Sequence, residues 1–482
     1  MSDGAKEERD VTGAIQDIER QMLGDAWTSG EIYDNLRHLC DKVGVRFGGT
    51  GGEHAGAVYV LGKMQDYGLH NPRLDKFPVY TWDRGECELI ITIVPVTTIP
   101  SIAMPFSGSG EFRGEMIDLG DGEAADFERA GSAVRNKIVI SAAETNRPGE
   151  VSLHRTDKYR LAVDAGAVAY IMINKNPGLL HITGSLYAKN PGGPDAADHE
   201  APIPAIGVTC EAGAQLRRIL DERRKRALIR LSNTTRLSHS YNVIGDIPGG
   251  EHPEEVIVVG GHYDSHDICH GAGDDGAGTL VGVEVGRLLA PYAGQLKRTI
   301  RIICFGYEEL GLGGSFHHAD YYTSDDCQET LRMAVNLDGA GRGEGGQERI
   351  TVTGDPELAS YFRALPRDMH YDFTTMDRIS VHSDHFPFFM KGYPSITLNS
   401  ADSTAGMIGR GYGHTEGDTF DKIRLRGLQM GAAFAARVAL RLAMADPFPA
   451  ERRTEQEAHK VLEDSGQGHF LDHHWGRANR AV

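Results

Sequence analysis

The sequence lacks an excess of basic residues and any closely paired cysteines. Lys and Arg total 50 against 68 Asp and Glu, which gives a formal charge of −18. This argues against a nucleic-acid partner, because phosphate binding requires a basic face. None of the six cysteines forms a CxxC pair. That spacing is typical of reduced thiols and not of a disulfide framework. The six are Cys40, Cys87, Cys210, Cys269, Cys304 and Cys327.

A long apolar run able to span a membrane is also missing. The longest uncharged stretch, from Leu89 to Gly110, carries Pro95, Pro100 and Pro105. Prolines this frequent break a spanning helix but fit short strands and turns, so buried β-structure and no membrane partner are expected. Residues 1–10 are charged and contain no apolar segment typical of a secretory signal. A cytoplasmic location is therefore expected, with secretion by another route as the alternative.

The length and the changing pattern along the chain predict more than one domain. At 482 residues the chain exceeds a single compact core. Residues 13–67 show helical spacing of apolar residues, and the pattern becomes extended after about residue 72. Apolar strands at 137–141, 165–174 and 203–209, with a charged helix from Glu211 to about Arg226, indicate a smaller module of its own.

From Asn242 onward, apolar strands alternate with helices. This alternation predicts an α/β fold with a mixed, mostly parallel central sheet and helices on both faces. The inserted module is expected to be a smaller α/β or β-rich domain. The predicted boundaries are N-terminal helices and a first strand at 1–84, the insertion at 85–232, the main domain at 233–450, and a polar C-terminal tail at 451–482 that frays.

Five polar segments follow predicted strands in the second half of the chain. Since ligands bind beyond the carboxyl ends of strands in open α/β sheets, these segments are expected to converge. They are GGHYDS at 260–265, GAGDDGAG at 271–278, YEELG at 307–311, NLDG at 336–339 and GHTEGDT at 413–419.

The residue types in these segments indicate a metal site. Taken alone, the doublet Asp274-Asp275 among glycines is typical of a turn. The doublet Glu308-Glu309 after an apolar strand is different, because two carboxylates in a cleft repel each other without a cation. Imidazole and carboxylate ligands suit zinc, and also cobalt or manganese. Only Cys269 among the cysteines stands near the ligand positions, so a catalytic zinc site is favoured over a structural one.

As a set, these segments resemble the co-catalytic di-zinc aminopeptidase family, which includes bacterial leucyl-type aminopeptidases and glutamate carboxypeptidase-like enzymes. The resemblance is strong over about 240–445 and loose over 13–80. Beyond the five segments it includes Gly314-Ser315 and SDHFPF at 383–388. The module at 85–232 resembles a protease-associated domain through GEMIDLGDG at 114–122, NKIVIS at 136–141, AGAVAYIMIN at 165–174 and IPAIGV at 203–208.

The resemblance implies a role for each matching residue. His262 and Asp338 would bind one of two zinc ions, Glu309 and His414 would bind the other, and Asp274 would bridge them. Asp274 is preferred to Asp275 because its register fits, four residues before Gly278. Glu308 would be the general acid/base, Asp264 would orient His262, and Asp418 would stand behind His414.

The implied activity is that of an aminopeptidase that hydrolyses the N-terminal peptide bond of short peptides through a water molecule bridging the two zinc ions, with Glu308 as the general base. A carboxypeptidase or dipeptidase of the same fold is the alternative, with Arg378, Lys391 or Arg410 binding the substrate carboxylate. A catalytically inactive, receptor-like relative is a further alternative, although no ligand position is lost. Tyr412 and His382 are both candidates to support the oxyanion, and His266 and His270 are interpreted as exposed polar loop residues. The oligomeric state, including a homo-oligomer, is left open.

Overall fold

A computed structural model describes residues 3–145, 152–190, 194–223, 225–400 and 411–472. The strands form two eight-stranded sheets. All strands of the second sheet lie between Cys87 and Leu231, within the part of the chain predicted as an insertion. All six cysteines are free thiols. No helix in the described ranges is both long and apolar enough to cross a bilayer.

The first sheet carries the strands predicted from Asn242 onward. Its order is β1-β10-β12-β11-β13-β16-β14-β15. The β11/β12, β11/β13, β13/β16 and β14/β15 pairs are parallel, whereas β1/β10, β10/β12 and β14/β16 are antiparallel. The mixed, mostly parallel sheet is thereby confirmed. The strands are β1 (His70–Asp83), β10 (Thr234–Ile247), β11 (His252–His262), β12 (Arg298–Phe305), β13 (Thr330–Asn336), β14 (Glu348–Val352), β15 (Thr374–Asp377) and β16 (Ser395–Ser400).

Helices cover both faces of this sheet, which explains why its central strands are apolar without alternation. Every residue of β12 is buried, as in strands covered on both sides. One core holds residues of α1, α2, α3, α7, α9 and α11, and another packs α8 and α10 on the opposite face. The helices are α1 (Asp3–Thr28), α2 (Glu31–His38), α3 (Gly51–Asp66), α7 (Ala277–Leu289), α8 (Gly313–Tyr321), α9 (Pro356–Met369), α10 (His385–Met390) and α11 (Leu425–Met444).

The second sheet forms the inserted module, in the order β3-β2-β9-β5-β6-β7-β8-β4. Strands β5 to β8 run parallel and the outer pairs are antiparallel. The predicted helix to Arg226 ends at Asp221, and an unpredicted strand begins at Arg226. The elements are β2 (Cys87–Ile91), β3 (Thr97–Ile99), β4 (Ile102–Ala103), β5 (Gly110–Asp118), α4 (Ala124–Ala130), β6 (Lys137–Ala142), α5 (Arg155–Asp164), β7 (Ala169–Ile173), β8 (Ala205–Val208), α6 (Cys210–Asp221) and β9 (Arg226–Leu231).

The uncharged stretch at 89–110 forms β3, β4 and most of β2, as predicted. Leu89, Ile91 and Ile99 are buried. Only the turn around Pro95 leaves apolar side chains in solvent, with Val94 82% and Val96 64% exposed. The proline spacing therefore marks turns between short strands.

The end of the chain differs from the expected fraying tail. Residues 455–464 form α12 (Glu455–Asp464), which begins with a capping box between Thr454 and Glu457. Ala458 and Leu462 are completely buried on this helix. A short helix, α13 (His469–Asp472), follows and buries Phe470. Two apolar side chains at helical spacing therefore produce this packing in a segment whose overall composition is polar. Residues 473–482 lie outside the described residues.

Candidate active site

Three neighbouring parallel strands bring the predicted site residues to one edge of the first sheet. His262 ends β11 and pairs in register with Phe305, the last residue of β12. Glu308 follows three residues beyond that strand end, and Asp338 follows two residues beyond β13. Since these strands are parallel, their carboxyl ends meet, and the side chains converge as the sequence predicts.

The site contains two groups of metal-ligand side chains. In each group the donor atoms lie within 4.8 Å of one another. One group is His262, Asp274 and Asp338; the other is His266, Glu309 and His414.

The Asp274 carboxylate lies between the two groups. Its Oδ1 is 3.6 Å from Nε2 of His262, and its Oδ2 is 3.4 Å from Nε2 of His414. One carboxylate thus faces both histidines. Asp275 has a different position, because its Oδ1 accepts hydrogen bonds from the backbone N–H groups of Gly278 and Gly339. The structure therefore separates the roles of the two aspartates.

Glu308 and Glu309 experience different electrostatic surroundings. Oε2 of Glu308 lies 3.8 Å from Nε2 of His262, and burial followed by the charge of Glu309 raises the pKa of the Glu308 carboxyl well above its usual range. Burial also acts on Glu309, but the neighbouring His266 and His414 outweigh it and hold its pKa well below the usual range. One carboxyl is therefore suited to holding a proton and the other to remaining ionised.

Asp264 positions the glutamate pair through its side chain. Its two carboxylate oxygens accept the backbone N–H groups of Glu308 and Glu309, at 3.0 and 3.1 Å. Nδ1 of His262 is 3.2 Å from the Asp264 backbone carbonyl and 3.4 Å from its Oδ1. The predicted orienting contact is thus shared between carbonyl and carboxylate, and Asp264 additionally joins the ends of two strands.

Asp418, which was expected behind His414, holds the Asp274 loop. Its carboxylate accepts the backbone N–H groups of Gly273 at 2.7 Å and Asp274 at 2.9 Å. Burial, followed by the nearby Asp274 charge, raises the pKa of Asp418 to about 6. This carboxylate fixes the backbone from which Asp274 projects.

The inserted module supplies the group that orients His414. Nδ1 of His414 lies 3.2 Å from the backbone carbonyl of Thr183, and the Thr183 N–H donates to the His414 carbonyl at 3.0 Å. His181 and Glu416 form a second link, with Nδ1 2.6 Å from Oε1. A hydrogen bond to the second ring nitrogen fixes the direction in which Nε2 points.

Three residues at the site have left-handed backbone conformations although none is glycine. They are Tyr307 with φ of 62°, Ser383 with φ of 100° and His414 with φ of 61°. Such conformations cost about 1–3 kcal/mol each and persist where surrounding structure enforces them. The Thr183 contact supplies that enforcement at His414.

The structure adds three residues that sequence reasoning missed. His266, interpreted as an exposed loop residue, is completely buried and belongs to the second ligand group. Arg342 places its Nη2 2.8 Å from Asp338 Oδ1 and 3.2 Å from Asp274 Oδ1. Asp384 is buried and adds its charge to that acting on Glu308. In the sequence, Asp384 could have been found through its place in the SDHFPF motif. Arg342 could have been found through its position four residues after Asp338.

A cavity of about 1210 Å³ opens onto this site. Its wall contains His414, residues of the inserted module such as Arg155, and the C-terminal residues Lys460 and Phe470. A smaller recess of about 40 Å³ is lined by Glu308, Glu309, His414 and His382, among others. The site thus lies at the meeting point of all three parts of the chain.

The cation candidates for a substrate carboxylate are placed unequally. Arg378 lines the large cavity. Lys391 is instead engaged by Asp320 at 3.2 Å and Glu455 at 3.7 Å. Arg410 lies outside the described residues. Of the two oxyanion candidates, His382 lines the same recess as Glu308. The ring of Tyr412 instead makes a cation–π contact with the Lys422 ammonium, which lies 4.9 Å from the ring centroid.

The donor set fits zinc. Three buried imidazoles, the buried carboxylates of Asp274 and Glu309 and the half-buried carboxylate of Asp338 gather their donor atoms in two groups, and no thiolate of the described residues takes part. Mixed histidine and carboxylate ligation is typical of catalytic zinc sites. A cluster of buried carboxylates without a cation would be costly, which makes a cation the natural complement of these residues.

Comparison with known families agrees with this geometry. Residues 242–439 match the family described as Peptidase family M28, and residues 109–216 match the PA domain. The PA match lies inside the module that forms the second sheet. The first match covers the first sheet except β1 and the start of β10, and the second covers β5 to β8 of the second sheet.

Individual relatives carry two kinds of peptidase name. The chain is 27% identical over 315 residues to carboxypeptidase Q of Mus musculus, covering 63% of this chain and 64% of the relative, so it spans about two thirds of that protein's length. It is 25% identical over 421 residues to aminopeptidase YwaD of Bacillus subtilis, covering 86% and 84%. The structure of BSAP, described as a zinc aminopeptidase from Bacillus subtilis, is 25% identical, has a TM-score of 0.61, and covers 84% of this chain and 93% of its own.

Proposed function

Because the chain belongs to peptidase family M28, with a PA domain inserted into it, we propose that it is a zinc-dependent exopeptidase that acts as an aminopeptidase. The observation that carries the proposal is the position of Asp274, whose two oxygens face His262 and His414. A bridging carboxylate between two ligand groups is what two ions per chain require. The relatives named as aminopeptidases support the same activity.

Five residues would hold the two ions in this proposal. His262 and Asp338 would bind one, Glu309 and His414 the other, and Asp274 both. Zinc bound there would lower the pKa of a water molecule and polarise the scissile carbonyl. Glu309 would bind as a carboxylate, because a ligand carboxylate must be ionised.

Glu308 would carry the proton during hydrolysis. It is partly accessible, with 13% of its side chain exposed, and it borders the recess that also contains Glu309 and His414. Its carboxylate would accept a proton from the attacking water and return it to the departing amine, a role worth about 10²–10⁴ in rate. His382, in the same recess, would support the developing oxyanion.

Short peptides are the substrates that the cavity favours. The PA domain and α12 to α13 line it on two sides, and its volume of about 1210 Å³ accommodates a few residues. A folded protein would reach the site only through a projecting terminus. The enclosure supports cleavage next to a free end of the chain.

A carboxypeptidase activity is the second candidate. It is favoured by the similarity to carboxypeptidase Q and by Arg378 on the cavity wall. A guanidinium there is able to pair with a substrate carboxylate. The aminopeptidase reading is preferred because the relative that covers more of both chains carries that name.

The test combines metal content with the polarity of cleavage. Purified protein would be incubated with the same short peptide in free, N-acetylated and C-amidated forms, with Glu308→Gln as the inactive control. About two zinc ions per chain, with cleavage of the free and C-amidated peptides only, supports the aminopeptidase. Cleavage of the free and N-acetylated forms only would support the carboxypeptidase. Absence of bound metal and of turnover after zinc addition would contradict both and favour the inactive, receptor-like alternative.

A further inference from the structure

His266 is the one member of the two ligand groups for which the proposed function has no role. It lies four residues beyond His262, in the loop that leaves β11, and its side chain is 0% exposed. An imidazole buried this completely normally has a hydrogen-bond partner for its ring nitrogens. Neither nitrogen of His266 makes a hydrogen bond within the described residues.

The His266 ring nevertheless approaches two other ligand side chains closely. Its Nε2 is 3.0 Å from Oε2 of Glu309, and that same oxygen is 3.2 Å from Nε2 of His414. The two imidazole rings meet edge to face, with centroids 4.4 Å apart and planes at 72°. Three donor atoms are close together, and His266 forms no aligned hydrogen bond with either neighbour. This is the arrangement expected of ligands directed at a common cation.

The backbone around His266 is held in place by Arg46. The Ser265 N–H donates to the Arg46 carbonyl at 3.1 Å, and the Arg46 N–H donates to Ser265 Oγ at 3.0 Å. The buried Arg46 guanidinium also donates to the carbonyls of Tyr263 and Gly271. Both ends of the loop are thereby fixed, so the direction of the His266 side chain is built into the fold.

We propose that His266 is a third protein ligand of the metal ion bound by Glu309 and His414. This inference rests on the proposed function, because it concerns one of its two ions. Together with Asp274, whose Oδ2 lies 3.4 Å from Nε2 of His414, that ion would have four protein ligands.

The two metal positions would then differ in their protein ligands. His266 would add a second imidazole to the ion at Glu309 and His414, and the ion at His262 and Asp338 would lie beside the partly exposed Glu308.

The alternative is a simple ion pair, in which a protonated His266 neutralises Glu309 and touches no metal. Its Nε2 would then carry a proton at full metal loading. The ligand hypothesis and the ion-pair hypothesis differ in one measurable bond, between the metal ion and Nε2 of His266.

The direct test uses full-length protein with ¹⁵N-labelled histidine, loaded with ¹¹³Cd²⁺ in place of zinc. Scalar coupling between cadmium and the Nε2 of His266 supports the proposal, with three coupled histidines in total: His262, His266 and His414. Coupling to His262 and His414 without His266 overturns it. The His266 resonance is identified by its loss in His266→Gln, a variant that retains side-chain volume.

A metal titration provides an independent readout. We expect His266→Ala to weaken binding of one of the two ions by about 10–100-fold or more, measured by competition with a chromophoric chelator. His270→Ala is the matched control, because His270 lies in the same loop but in neither ligand group, and it should titrate as the wild type. If His266→Ala also titrates as the wild type, the proposal is wrong. Circular dichroism of the metal-free variants checks that they fold. If His266→Ala does not fold, the cadmium experiment on the wild-type protein decides the question.

The two proposals fail in different ways. If cadmium or zinc binds at His262 and His414 but not at His266, only the proposal that His266 is a ligand is wrong. If the wild-type protein binds no metal, both proposals are wrong.

Discussion

Glu308 and Glu309 are adjacent in the chain but direct their carboxylates to different histidines. Oε2 of Glu308 lies 3.8 Å from Nε2 of His262, whereas Oε2 of Glu309 lies 3.0 Å from Nε2 of His266. Asp264 fixes this separation by accepting both backbone N–H groups. Two chemically identical side chains therefore acquire different proton affinities, and the difference leads to the first prediction.

Replacing each glutamate by glutamine should separate catalysis from metal binding. Glu308→Gln is expected to bind metal as the wild type does and to lose about 10²–10⁴ in kcat, because only the proton carrier is removed. Glu309→Gln is expected to lose metal affinity, because an anionic ligand is removed from a buried site. Zinc content and kcat measured on the same preparations would test this. Loss of zinc from Glu308→Gln would refute the assignment of roles.

The zinc-free protein should become less stable as pH rises. Burial raises the pKa of Asp384 to about 7 and that of Asp418 to about 6, above the value of an unfolded aspartate near 3.9. The folded state therefore binds more protons than the unfolded state between about pH 4 and pH 7, and its free energy of unfolding falls across that range. Bound zinc supplies the missing positive charge, so its stabilising effect should increase over the same range.

Thermal unfolding with chelator and with zinc, at several pH values from about 5 to 8, measures this effect. The stabilisation by zinc is expected to grow with pH. Asp418→Asn serves as the matched variant, because it removes one of the two titrating groups while keeping the shape of the side chain. A zinc-free protein whose Tm rises steadily from pH 5 to pH 7 would contradict the prediction.

The contact between the PA domain and the His414 loop should affect metal binding from a distance. His181→Ala removes the 2.6 Å link to Glu416, next to the Thr183 carbonyl that orients His414. We expect about a 10–100-fold loss in affinity for one metal ion, typical of a lost orienting contact. Arg217→Ala is the control, since it breaks a comparable 2.9 Å pair with Asp118 elsewhere in the PA domain. Equal metal affinities in both variants would show that this contact does not position His414.

Arg342 should compete with the metal for Asp274 and Asp338. A unit charge about 4 Å away contributes up to about 4 kcal/mol at an effective dielectric constant near 20. Removing the Arg342 charge is therefore expected to change the metal affinity measurably. We expect Arg342→Met to raise affinity for one metal ion by about tenfold, which corresponds to about 1.4 kcal/mol. Arg378→Met, on the cavity wall, controls for a general change in charge. Weaker metal binding in Arg342→Met would instead identify Arg342 as a residue that holds the aspartates in place.

The C-terminal helices should limit the length of the substrate. Phe470 on α13 lines the cavity and belongs to the same apolar cluster as Phe316 and Phe389, so Phe470→Ala should release α13 and favour longer peptides. The ratio of kcat/KM for a long peptide to that for a dipeptide is expected to rise. Phe373→Ala is the control, because Phe373 packs on Phe434 away from the cavity wall. An unchanged ratio in Phe470→Ala would show that α13 does not restrict the site.

Local sequence patterns are sufficient to predict the architecture of the main domain and the candidate residues. Uninterrupted apolar strands alternating with helices dictate a sheet covered on both faces, and parallel strands bring their carboxyl ends together. The polar segments follow those strand ends directly, so His262, Glu308 and Asp338 converge for local reasons. Their chemistry as metal ligands depends on residue type, which the sequence states outright.

Which of the other polar residues take part depends on long-range contacts in the folded chain. The His266 loop is polar in sequence, but Arg46, from a distant part of the chain, holds it in the interior. Asp418 turned out to bind the Asp274 loop, and Thr183 lies 231 residues from the His414 it orients. Burial and choice of hydrogen-bond partner arise from contacts between segments far apart in the chain, and no local pattern in the sequence encodes them. The same reason explains why Ala458 and Leu462 turn an apparently polar tail into a packed helix.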